Sequence, residues 1–154
     1  MTALAWLEST EVARTVSGSL SLTASLSAAH LLGFTLVMGG ALVMHLKLVG
    51  AMLSRTTLLD VARPASRLIA LGLTVNVVTG VLLFAGRASE IAANGIFQTK
   101  ISLIVVAVIW QLIVHRRITG AASRPPHATR TLGAVGLALW MGLAVAACAF
   151  ILLE

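Results

Sequence analysis

Four stretches of this 154-residue chain are apolar for long enough to cross a hydrocarbon core of about 30 Å, and short polar breaks separate them. The first covers 20–46, with its helix continuing toward 53; the others cover 66–86, 96–115 and 130–153. Arg63-Pro64 reads as the start of the second helix, with proline in the first turn. Gly86-Arg87, Glu90 and Asn94-Gly95 form the second loop, and Gly120 with Arg124-Pro125-Pro126-His127 separates the third span from the fourth. Residues 1–16 read as a short amphipathic segment that lays Trp6 and Leu7 at the membrane surface. The expected architecture is all-α: an interfacial segment over 1–16, then an up-down-up-down integral membrane four-helix bundle over 17–154.

Polar side chains are scarce inside these spans, and four of them are evenly spaced. His30 and His45 lie fifteen apart in the first span, and Lys100 and His115 fifteen apart in the third. Fifteen residues return a helix to within about 60° of one face and climb about 22 Å. Each pair therefore marks the two ends of one membrane-crossing face. Ionisable groups in a bilayer are costly and are candidates for function. Gln111 falls close to the face that carries Lys100, Ala107 and His115, so the third span has a polar seam that should look into the bundle. Asn76 sits mid-span on the second helix, where an amide needs a partner.

The charges orient these pairs. Lys47, Arg55, Arg63 and Arg67 gather around the first loop and Arg116, Arg117, Arg124 and Arg130 around the third; the second has only Arg87, beside Glu90. The positive-inside rule makes the first and third loops cytoplasmic and puts both termini outside. His30 and Lys100 then share the outer half, and His45 and His115 the inner edge. Glu8 and Glu11 precede the first basic residue, Arg14, which does not suit a cleavable secretory signal.

Composition narrows the functions. Mean hydropathy is +1.01, and only 10% of residues are charged, against about a quarter in soluble domains. The net charge of +6 belongs to loops and makes no stripe with interleaved aromatics, so nucleic acid is excluded as a partner. The single cysteine, Cys148, permits no intrachain disulfide and no covalent c-type haem motif. The acids all lie outside the spans or at their edges, which removes paired-carboxylate hydrolysis and leaves no acidic relay for a proton pump. Small residues form two ridges at intervals of four: Gly72, Asn76 and Gly80 in the second span, and Ala134, Ala138, Gly142 and Ala146 in the fourth. Both predict close helix packing.

Neutral imidazole is a good ligand for haem iron. The pattern His30-x14-His45 with Lys100-x14-His115 resembles transmembrane b-type cytochromes that carry two haems. That resemblance implies haem b between His45 and His115, and a second polar site at His30 and Lys100, where Lys100 stands in place of a second histidine. A second likeness rests on phrases: His30-Leu31-Leu32-Gly33, His45-Leu46-Lys47-Leu48-Val49-Gly50, Thr79-Gly80-Val81-Leu82-Leu83-Phe84 and Phe97-Gln98-Thr99-Lys100. These look like a family of uncharacterised bacterial four-helix membrane proteins, distantly similar to the membrane domain of copper-resistance CopD proteins. The likeness covers most of the chain and implies the architecture rather than a reaction.

Three functions stay open at this point. The first is a small bacterial inner-membrane haem protein that moves electrons, to or from quinone, with His45, His115, His30, Lys100, Gln111 and Asn76 around its cofactors. The second is a cofactor-free accessory subunit of a larger membrane complex; homo-oligomerisation is a separate expectation. The third is a copper or small-solute transporter with His30, Met38, Met44 and Cys148 as soft ligands. Plainer roles compete: a cross-bundle hydrogen bond for His30, interfacial positions for His45 and His115, and snorkelling for Lys100.

Overall fold

The computed structural model describes residues 2–53, 55–119 and 126–152, with side chains for all of these except 119, 126 and 150–152. Among the described residues there are seven helices: α1 (Ala3–Glu8), α2 (Glu11–Gly18), α3 (Leu20–Val49), α4 (Leu58–Ala85), α5 (Ala88–Ala93), α6 (Gly95–Thr119) and α7 (Pro126–Leu152). α3, α4, α6 and α7 are long and apolar enough to cross a membrane, so the chain is an all-α, multi-pass membrane bundle. Leu31, Leu32, Val77, Val78, Val106, Ile109 and Val145 are exposed along these helices, as apolar residues facing lipid would be.

The second span begins eight residues before its expected start, at Leu58. Thr57 caps it: its Oγ1 accepts the N–H of Asp60 at 3.2 Å and donates to Asp60 Oδ2 at 2.6 Å. Pro64 is therefore inside α4 rather than opening it. Its missing N–H would have bonded the carbonyl of Asp60, close to the helix end, where water can satisfy that group. The first span ends at Val49 instead of running on to 53, because Gly50 takes a left-handed conformation (φ 88°) and its N–H caps Leu46 and Lys47. The Gly120 and Arg124-Pro125 part of the expected third break lies outside the described residues, as does Glu154. Pro126 stands at the first position of α7.

The expected single interfacial segment is two helices, and α2 extends it to Gly18. α2 buries Ala13 and Val16 against the bundle, packing on α4 and α3, while α1 packs on α5 in the second loop. Glu8 Oε1 accepts the N–H of Ser89 at 2.7 Å, tying the N-terminal segment to that loop. Both therefore sit at one end of the bundle, and up-down-up-down order puts the first and third loops at the other.

α3 is the central element, packing along α4 and α7; α6 packs on α7 and meets α4 only sparingly. α3 and α6 thus stand on a diagonal, parallel to each other, with their inward faces directed into a common interior. Glycine sets how closely α3 and α4 approach. A Cβ on Gly72 would fall 2.5 Å from the Gly33 carbonyl oxygen, and one on Gly40 2.8 Å from that of Ala65. The Gly72–Asn76 ridge of α4 therefore does face a helix.

The ridge expected on the fourth span does not. Ala134, Ala138 and Gly142 are exposed, and a Cβ on Gly142 would meet nothing within 4 Å. α7 instead buries Gly133, Gly136, Trp140, Leu143 and Ala147. In lipid both faces of a helix are apolar, so small residues alone do not mark the packed one.

Candidate functional site

The polar side chains of the spans collect in two clusters, one toward each end. The cluster on the N-terminal side is built around His30 of α3. Its imidazole rests beside Gly80 of α4, where a Cβ would come within 3.2 Å of Cε1. His30 Nδ1 lies 2.8 Å from Thr79 Oγ1, and that hydroxyl donates its one proton to the Val75 carbonyl at 2.7 Å. With the Thr79 proton so directed, His30 Nδ1 is the donor and Nε2 keeps its lone pair; the ring also has the Asn76 backbone within hydrogen-bond reach. Lys100 of α6 is half-buried, and its charge lies within coulombic reach of His30. Asn76 is near, with its Nδ2 donating to the Gly72 carbonyl of its own helix at 3.2 Å and lying over Gly33. Its partner is therefore intrahelical.

The second cluster is built around His45, which is fully buried on α3. Its ring lies against the bare backbone of Gly136 on α7: a Cβ there would fall 2.1 Å from Cε1 and 2.3 Å from Nδ1. His45 Nε2 is 3.2 Å from Gln111 Oε1, across the diagonal from α6. Gln111 Nε2 donates to Met44 Sδ at 2.9 Å, which fixes the amide with its oxygen toward the imidazole. His45 Nε2 is thus the protonated nitrogen. His115 is half-buried one turn farther along α6, and its Nδ1 is 3.1 Å from Ser66 Oγ of α4.

His45 and His115, expected as one inner pair, take different hydrogen-bond partners. His45 turns Nε2 to Gln111, and His115 turns Nδ1 to Ser66, so a haem held by both with these nitrogens would have to displace those two side chains. As placed, these residues do not fit bis-histidine haem. The soft-ligand set also comes apart. Met44 is buried beside Gln111, whereas Cys148 is exposed on the far face of α7. No group of three or more His, Cys, Asp or Glu capable of holding a metal occurs among the described residues.

Sequence reasoning named His30, His45, Lys100, His115, Gln111 and Asn76 but not Ser66, Gly136 or Trp140. Ser66 and Gly136 carry no signal of their own in an apolar helix. Trp140 lies mid-span, away from the interface where tryptophan is expected.

In the last turn of α3, Lys47 braces the first loop, its Nζ donating to the carbonyls of Leu53 and Thr56 at 2.5 and 2.7 Å. Arg55, Arg63, Arg67, Arg116, Arg117 and Arg130 are exposed at that same end. At the other end the exposed Arg87–Glu90 pair has its shortest contact at 2.5 Å. Hydrogen bonding from Arg87 holds the Glu90 carboxyl below its usual range.

The chain belongs to a family of unknown function, DUF6644, whose model matches residues 6–152. No curated protein matches it, and no solved structure does.

Proposed function

We propose that this protein is a bacterial inner-membrane subunit that binds the head of a quinone or quinol between His30 and Lys100, and serves a larger electron-transfer complex whose redox centres lie on other chains. The observation that carries this reading is the His30–Thr79 hydrogen bond beside bare Gly80, with half-buried Lys100 on α6 in electrostatic reach of the imidazole. Thr79 fixes the His30 tautomer, so Nε2 accepts a hydrogen bond from a quinol hydroxyl. The Lys100 ammonium donates to the ligand oxygen. Gly80 leaves a flat surface beside the imidazole.

Binding of a short-tailed ubiquinone analogue to the protein in nanodiscs tests this directly. Loss of a hydrogen bond to a charged or buried group is worth about 1.5–3 kcal/mol, or roughly ten- to a hundredfold in affinity. His30→Phe and Lys100→Met should each weaken binding by that factor, and the double variant by little more than either. Lys100→Arg should not restore it, because guanidinium differs in shape and donor geometry. Wild-type affinity in Lys100→Gln would mean that Lys100 only snorkels, and would end this reading.

The proposed orientation puts the N-terminal segment outside the cell and the arginine-rich end in the cytoplasm. In a Cys148→Ser background, Glu11→Cys should react with a membrane-impermeant maleimide added to intact cells. Arg63→Cys should react only after permeabilisation. The reverse pattern would invert the assignment of both clusters.

A further inference from the structure

Two polar atoms in the bundle interior find no hydrogen-bond partner among the described residues: Nδ1 of His45 and Nε1 of Trp140. His45 is 0% exposed and Trp140 1% exposed. Leaving either atom unpaired in an apolar core is costly, and such groups are satisfied by bound water or ligand when no side chain serves.

Their chemistry is complementary. Gln111 takes the proton of His45 Nε2, so Nδ1 is an acceptor. Indole Nε1–H is only a donor. Both residues belong to the buried α3–α7 contact around Gly136. The His45 ring lies on that glycine, and Trp140 follows it by one turn on the same buried face of α7. Helix side chains lean toward their own N-terminus, and α3 and α7 run antiparallel. His45 therefore leans toward the level of Trp140, and Trp140 toward the level of Gly136.

We propose that the bundle holds a small hydroxyl-bearing molecule that bridges these two atoms. Its O–H donates to His45 Nδ1, and its oxygen accepts from Trp140 Nε1–H. Water and the hydroxyl of a bound alcohol or phenol share this chemistry. The bridge joins Trp140 to the Met44–Gln111–His45 chain and so links α7 to α3 and α6 through polar contacts. This site is separate from the one at His30 and Lys100, and neither depends on the other.

The test is NMR of the 15N-labelled protein in bilayers. Trp140→Phe identifies the Trp140 indole among the three tryptophans. In the wild type, that indole proton should lie downfield, with a magnetisation-transfer peak at the water frequency. His45→Gln keeps a partner for Gln111 but removes the Nδ1 acceptor, and should move the indole upfield and abolish the transfer peak. A downfield indole without the water peak, together with extra mass in native mass spectrometry, would assign the bridge to a bound alcohol. The reciprocal reading needs only the conservative variant: in Trp140→Phe, the His45 Nδ1 resonance should shift toward its unbonded position. An indole at the free position, unmoved by His45→Gln, overturns the proposal, as does a His45 Nδ1 resonance unmoved by Trp140→Phe.

Discussion

Gly136→Ala is expected to destabilise the bundle by about 3 kcal/mol, combining overpacking against the imidazole with loss of the hydrogen bond behind it. The new Cβ would fall 2.1 Å from His45 Cε1, and 2.6 Å from Nε2. The ring has nowhere to retreat, because Gln111 holds its far edge and its residue is fully buried. Denaturation in mixed micelles measures the cost. Gly142→Ala is the control: its Cβ would meet nothing within 4 Å, so its effect should stay within about 0.5 kcal/mol. His45→Ala combined with Gly136→Ala should cost less than the sum of the single changes, because the two residues share one contact. Equal stability of Gly136→Ala and Gly142→Ala would contradict the packing of His45 on α7.

Gly72→Ala should be at least as damaging, again by about 3 kcal/mol, for a different reason. Its Cβ would meet the Gly33 carbonyl oxygen at 2.5 Å and the Val37 N–H nitrogen at 2.8 Å, both backbone atoms. No rotamer change relieves that clash, so α3 and α4 must separate along their shared interface. Gly39→Ala, one residue before the close approach of Gly40 and open on its own side, should be nearly neutral. The same micelle denaturation reads both. A neutral Gly72→Ala would mean that α3 and α4 do not meet at this register.

The four spans were legible because hydropathy alone decides whether a helix can live in lipid. Which face each span buries was much less legible. On α6 the polar seam gave it: Ala107 and Gln111 are buried, because amide and imidazole groups avoid hydrocarbon. α7 has no such polar mark, and the interval-of-four ridge at Ala134, Ala138 and Gly142 points outward. The start of α4 was hidden by Pro64, whose usual meaning as a helix opener outweighed the Thr57–Asp60 capping pair in the sequence. Spacing also brought out His30 and Lys100, which the fold places within electrostatic reach of each other. It could not tell that His45 meets Gln111 rather than His115. Equal intervals on two helices fix height only when the helices share tilt and offset, and a shift of one turn, about 5.4 Å, exchanges one partner for the next. The Gly136 contact was beyond sequence reasoning altogether, since it depends on which turn of α7 crosses α3.

The most direct measurement is photo-crosslinking with an azido-quinone in nanodiscs, followed by peptide mapping. Label should fall on the segments around His30, Thr79–Gly80 and Lys100, and should be lost in His30→Phe and Lys100→Met while the helical content of both variants is unchanged. Label confined to other segments, or undiminished in both variants, would contradict a quinone-head site between α3 and α6.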